Sequence, residues 1–356
     1  MSEQKQAQDL ELHDIDDVSV TRSLESWFAG AARDLPWRVE PRDPYRCLVS
    51  EFMLQQTQVS RVLEKFEPFL DEFPTVFELA DATEERVLGA WSGLGYYRRA
   101  RMLHACAQAI VEQHDGVVPR SVDELVALPG IGRYTAGAIA SIVFREREPL
   151  VDGNVVRVLQ RLHNNPAPQT SKTTIQWAWE RAISLVQAST KPGVLNESLM
   201  ELGATVCTPK NIKCGQCPVR EHCGSFAHGT TESVPPPKER AKRKELFCAS
   251  ILVTDKKDRV LMEQRPSTGL WGNMWQVPTI ERDDRPTTLD ELPEGSELIE
   301  SFEHQTTHRI VRFEVYRNPK VQKIDGCDFL DRDHIQTLGI SNAQRRILNS
   351  AGTLWD

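Results

Sequence analysis

The chain has 356 residues, 40% of them apolar and 26% charged, with a formal net charge of −8. That length predicts two domains or one large one, and that mix excludes wholesale disorder, since either half can bury its own core. The longest apolar run, around Ala136 to Phe144, is too short to span a bilayer, and the polar N-terminus shows no secretory signal. No membrane partner is therefore expected, and the cytoplasm is the expected site.

Taken alone, the negative charge argues against a nucleic-acid partner. Its distribution changes that reading. Residues 1–25 carry seven acids against two bases, residues 281–300 carry eight against two, and the rest of the chain is +3. Both acidic stretches read as solvated tail and loop, which leaves room for a basic face.

In chain order, residues 1–20 read as a disordered acidic tail. Residues 21–230 read as an all-α domain, with Phe52, Val59, Leu63, Phe66 and Leu70 at helical spacing and Gly or Pro turns between segments. Glu51 lies in Leu48–Thr57 (LVSEFMLQQT), where a helix would set Leu48, Leu54 and Gln55 beside it. An apolar surround raises a carboxyl pKa, as a general acid requires, although an exposed helical glutamate gives the same string. Residues 93–101 (GLGYYRRAR) suit stacking on bases plus phosphate contact, or a capped turn leading into a basic helix.

Residues 128–132 (LPGIG) sit between helical patterns. Two glycines two apart let successive amides form an anion-binding concavity, or simply turn one helix into the next. Asp152-Gly-Asn154 precedes another helical run, so either residue is a candidate N-cap as well as a candidate functional side chain. Cys207, Cys214, Cys217 and Cys223 then fall within seventeen residues. Without an export signal, disulfides are not expected, and four thiolates at this spacing can enclose zinc or an iron–sulfur cluster.

Residues 231–245 join a proline run to a basic run and read as a semi-rigid linker. Residues 246–356 read as an α+β domain. Its strands are 246–254, 259–264 and 311–316, with a hairpin turn at 255–258 and a capped helix at 341–348.

The order and spacing of these motifs, with Trp37-Arg38 ahead of them, closely resemble the adenine-specific mismatch DNA glycosylases, the MutY family of the helix-hairpin-helix glycosylase superfamily. The resemblance covers residues 21–227. It extends to 246–350 through 269–278 (GLWGNMWQVP) and 302–308 (FEHQTTH), similar to the family's Nudix-like domain that recognises 8-oxoguanine. It implies a multi-domain protein, with an all-α helix-hairpin-helix glycosylase domain carrying an iron–sulfur loop at 207–223, followed by an α+β Nudix-like domain. It implies a [4Fe-4S] cluster on Cys207, Cys214, Cys217 and Cys223. Glu51 becomes the general acid and Asp152 the carboxylate facing the sugar, with Tyr134 and Asn154 in support. Gln56, Leu94 and Tyr96 would contact DNA near the lesion, Leu128, Gly130 and Gly132 would grip phosphate, and His304 would reach the 8-oxoguanine side. The implied partner is duplex DNA with A:8-oxoguanine or A:G mispairs, met by a nucleoid-associated monomer in base excision repair.

Three features refine that expectation. Tyr134 stands where endonuclease III relatives carry an attacking lysine, and Val156 offers no amine either, so the implied product is an intact abasic site. Glu303 stands between Phe302 and His304, where a small residue is usual, and an ionised carboxylate cannot donate a hydrogen bond. The loop's usual polar contact is therefore not expected, leaving His304. The second domain lacks a Nudix box, so phosphohydrolysis is not expected. The competing readings are an endonuclease III-like glycosylase/lyase for oxidised pyrimidines, a non-catalytic iron–sulfur DNA-binding protein and a nucleotide hydrolase.

Overall fold

The computed structural model describes residues 12–237, 243–306 and 308–350. The chain opens on α1 (Asp17–Ala31), α2 (Pro44–Leu54), α3 (Val59–Glu72), α4 (Val76–Asp81), α5 (Glu84–Ala90) and α6 (Arg98–His114). It continues through α7 (Val122–Ala127), α8 (Arg133–Ala138), α9 (Gly153–Leu162), α10 (Lys172–Ala188), α11 (Pro192–Thr205) and α12 (Gly224–Ala227). Strands β1 (Lys244–Leu252), β2 (Val260–Gln264), β3 (Trp275–Gln276), β4 (Thr279–Arg282), β5 (Glu297–Gln305), β6 (Arg309–Arg317) and β7 (Cys327–Leu330) follow, then α13 (Arg332–Thr337) and α14 (Asn342–Asn349).

Contacts group the chain into two compact units. The first holds the chain up to Glu51 together with the stretch from Glu112 through α12. Its core is built from the apolar faces of α1, α9, α10 and α11, including Leu24, Val158, Leu185 and Leu199. The acidic tail expected through residue 20 ends sooner. Asp16 caps α1 by accepting from the Val18 amide, and Ile15 and Val20 are buried, because this short apolar pattern has a face of the first unit to cover. Residues 1–11 lie outside the described residues. The expected linker starts as packed chain: Val234 is buried and its carbonyl accepts from Arg161 Nε at 2.8 Å. Residues 238–242 of its basic run lie outside the described residues.

The second unit combines Phe52–Val111 with the C-terminal stretch. Its strands form a four-stranded sheet, ordered β4-β1-β6-β5, and a three-stranded sheet, ordered β3-β2-β7. Strand β1 runs parallel to β6 and antiparallel to β4. The turn expected at 255–258 forms, with the Asp255 amide donating to the Arg259 carbonyl at 3.0 Å. Beyond an isolated bridge, Thr254 to Val260, its two strands enter different sheets. The helix expected at 341–348 forms as α14, capped by Ser341.

The helices of this unit join its sheets at close range. The Tyr97 hydroxyl donates to the Ile340 carbonyl at 2.9 Å, Arg101 Nη1 to the Gly272 carbonyl at 2.7 Å and Asn273 Nδ2 to Glu84 at 2.9 Å. A Cβ on Gly89 would lie 2.4 Å from the Thr337 carbonyl oxygen, so only glycine permits that approach.

Candidate active site

Glu51 sits on the last turns of α2 and is buried, 7% exposed. The helix ends at Leu54, so Gln55 is not the helical neighbour expected; Cys47, one turn back, is. Burial raises the Glu51 pKa to about 7; the hydrogen bond with Tyr134 lowers it, while the Asp152 and Glu197 charges add to the rise. Tyr134, on α8, has its hydroxyl 3.4 Å from Met200 Sδ of α11. Its pKa is pushed well above the usual range, by burial first and then by Glu51 and Asp152.

Asp152 is the N-cap of α9. Its Oδ1 accepts from the Val155 amide at 2.7 Å and its Oδ2 from Asn154 Nδ2 at 2.9 Å. The capping and functional readings therefore fall on one side chain: the cap fixes the carboxylate's direction. Burial raises its pKa, against the lowering effect of those hydrogen bonds and of Arg157. Glu51, Tyr134, Asp152 and Asn154 thus lie together in the first unit, two carboxyls and a phenol acting on one another.

Sequence reasoning missed what holds this group. Asn154 Oδ1 accepts from Arg157 Nη2 at 2.8 Å, and Arg157 donates onward to the Gly203 and Cys207 carbonyls, both at 2.9 Å. A Cβ on Gly203 would lie 2.6 Å from Asn154 Cβ, so α9 and α11 approach there only because residue 203 is glycine. Glu197 and Glu201 of α11 are buried and bind Arg38 at 3.1 and 3.0 Å, and Arg42 also reaches Glu197. Two acids four apart in an otherwise apolar helix were the available signal.

Between α7 and α8, Leu128 and Ile131 are buried while Gly130 and Gly132 are exposed. Gly130 has φ +77°, a conformation that favours glycine, and Gly132 is the N-cap position of α8. The apolar pair anchors the turn and leaves its backbone facing outward.

Cys207, Cys214, Cys217 and Cys223 line one small cavity with Arg161 and Phe226. Arg161 Nη1 donates to Cys207 Sγ at 3.3 Å. Burial raises the Cys217 and Cys223 thiols to about 12 and about 11, so the residue set gains from a cation that would hold them as thiolates. Among the described residues, no three His, Cys, Asp or Glu donors are close enough to share a single metal ion.

In the second unit, Gln56 and Tyr96 both have positive φ, +56° and +49°, rare for residues with a Cβ. Gln56, Ser60, Arg61 and Leu94 line a shallow groove of about 340 Å³. Tyr96 is 45% exposed, whereas Leu94 is 5% exposed and serves mainly as wall. Arg99, which sequence reasoning did not single out, sets this geometry. It donates to the Phe52 and Met53 carbonyls at 2.8 Å, to Thr57 Oγ1 at 2.9 Å and to the Leu94 and Gly95 carbonyls.

The loop expected at 302–304 is instead part of β5, paired through Gln305 with β6. Phe302 stacks on Phe313, with ring centroids 4.9 Å apart, and His304 packs against Trp271 at 5.7 Å. Glu303 lies opposite Arg312, 3.4 Å away, and Arg312 also binds Glu245. Ion pairing within the sheet thus answers the Glu303 charge.

Residues 49–182 match the HhH-GPD superfamily of base excision DNA repair proteins, and residues 249–350 match the NUDIX domain. The chain is 33% identical to the adenine DNA glycosylase of Homo sapiens over 94% of its own length and 74% of the relative's. It is 44% identical to the adenine DNA glycosylase of Mycolicibacterium smegmatis over 56% of its length and 67% of the relative's. Among solved structures, a thermostable thymine-DNA glycosylase aligns at a TM-score of 0.54 and 26% identity, covering 60% of this chain and 97% of that one. An endonuclease III in a non-covalent DNA complex shares the fold at a TM-score of 0.50 and 22% identity, covering 61% and 99%.

Proposed function

Because the chain belongs to the adenine DNA glycosylase family of base excision repair enzymes, we propose that it hydrolyses adenine from mispairs with 8-oxoguanine or guanine, using Glu51 and Asp152 together. One observation carries this reading: a buried carboxyl, Glu51, lies within electrostatic reach of a second carboxylate, Asp152, that two hydrogen bonds hold in place.

An adenine paired inside duplex DNA is out of reach, so the nucleotide is extruded first. Near neutral pH, Glu51 is partly protonated and donates its proton to the departing base. The C1′–N bond breaks, its electron pair leaves with the adenine, and positive charge develops on the sugar. Asp152, held by the Val155 amide and Asn154, stabilises that charge or bonds to C1′. Water then adds to C1′, breaking the Asp152–C1′ bond where one has formed and returning its electron pair to the carboxylate, and gives one proton to the Glu51 carboxylate, which restores the acid. Tyr134 holds Glu51 in place and, having no amine, forms no Schiff base. The product is an intact abasic site.

The four cysteines suit a [4Fe-4S] cluster, which takes four thiolates, better than zinc, which would draw all four sulfurs to within about 2.3 Å of one point. When bound, the cluster supplies a covalent staple for residues 207–223. The Leu128–Gly132 turn suits a DNA phosphate, and the groove at Gln56 with exposed Tyr96 suits bases displaced near the lesion.

The test is base release from duplexes with adenine opposite 8-oxoguanine, guanine, cytosine or thymine. Free adenine from the first two, with strand breaks only after alkali, is expected. Spontaneous breaks, or release of oxidised pyrimidines instead of adenine, would overturn the reading.

A further inference from the structure

Three basic side chains gather around the 92–97 turn of the second unit. Arg61 Nε donates to the Gly93 carbonyl at 3.2 Å, and Arg345 Nη2, on α14, donates to Ser92 Oγ at 2.7 Å. Gly93 has φ +96°, and a Cβ there would lie 3.2 Å from Arg61 Nη2 and 3.3 Å from Lys65 Cε, so both chains rest against it. The Lys65 pKa is lowered, by burial first and then by the charges of Arg345 and Arg61.

Many arginines of the unit are paired with acids: Arg86 with Glu72, Arg265 with Glu281, Arg309 with Asp283 and Arg346, next to Arg345, with Glu300. In the cluster Arg61 pairs with the exposed Glu64, whose charge also acts on Lys65 and partly offsets the repulsion there. Among the described residues, Lys65 and Arg345 make no ion pair. Two adjoining cations are thus left with no acid in direct contact, in a chain whose net charge is −8. Their mutual repulsion disfavours the free protein, and an anion binding between them would remove that cost.

The position of the cluster indicates which anion. Arg61 also lines the groove formed with Gln56, Ser60 and Leu94, where it holds the one acid of the lining, Glu64, in an ion pair, so a strand lying there would continue onto Lys65 and Arg345. We propose that Arg61, Lys65 and Arg345 form a composite phosphodiester site that holds the backbone of the DNA strand in that groove, with α14 of the C-terminal region contributing a sequence-independent contact. The inference rests on the DNA glycosylase reading above and adds to it a site that none of the motifs contains.

The experiment measures binding of the full-length protein to an undamaged duplex and to one with A opposite 8-oxoguanine, between 50 and 300 mM salt. Lys65→Gln and Arg345→Gln should each weaken binding to both duplexes several-fold. Each should lower the slope of log affinity against log salt by about 0.9, and the double variant by about twice that. Lys65→Arg should restore the slope, and Lys65→Gln should melt no lower than the wild type, because it relieves repulsion. Inorganic phosphate at matched ionic strength should displace DNA no better than chloride. An unchanged slope, a loss confined to the damaged duplex, or a loss that follows a lowered melting temperature in Lys65→Gln would overturn the proposal. Failure of the wild type to bind either duplex would instead refute the glycosylase reading.

Discussion

Glu51 shows how a single side chain is prepared for acid chemistry. Leu48, Phe52 and Met53 of the same helix are buried with it, so its charged form loses hydration that no cation nearby restores. Two outcomes follow. Adenine release should fall about tenfold per pH unit above about 7, as the protonated fraction declines, and Glu51→Gln should lower release by roughly 10²–10⁴-fold at pH 7. Stability should move in a fixed direction. The folded pKa lies above the unfolded value near 4.5, so the contribution of Glu51 is full at low pH and is lost as pH rises through about 7. Thermal melts of Glu51→Gln and wild type should therefore diverge in favour of the variant between about pH 4.5 and 7, by on the order of 3 kcal/mol in all, and stay a constant distance apart above that.

At the scale of elements, the structure depends on arginines that serve as connectors. Arg99 ties the end of α2 to the turn before α6, and no lysine can reproduce its planar fork. Arg99→Lys should cost about 2–4 kcal/mol in denaturant unfolding and weaken DNA binding through Gln56 and Tyr96; an unchanged midpoint would contradict that role. The sequence shows why such residues escape notice. Helical periodicity and turn dipeptides are local, so the helices, the 128–132 turn, the α14 cap and the cysteine spacing were legible. Arg99, Arg157, Glu197 and Gly203 act through partners tens of residues away, which no local pattern records. The strand at 302–304 was obscured for the same reason. Its residues alternate on β5 only because β6 supplies partners, Phe313 for Phe302 and Arg312 for Glu303.

For the whole molecule, composition marks one boundary near residue 240, whereas contacts group Phe52–Val111 with the C-terminal stretch. Ending the chain after residue 237 would strip Tyr97, Arg101, Glu84 and Ser92 of their partners. Hydrogen exchange in α5 and the N-terminal half of α6 should then accelerate while α9 and α11 stay protected; uniform protection would show the helices to be independent of the sheets. The central claim is that Glu51 and Asp152 act on the same nucleoside, and Asp152→Asn tests it most directly. Asparagine caps a helix about as well as aspartate, so folding and DNA affinity should survive. Single-turnover release of adenine opposite 8-oxoguanine should fall to background while binding to that duplex stays within a few-fold of wild type. Full release by the folded variant would contradict the two-carboxylate account.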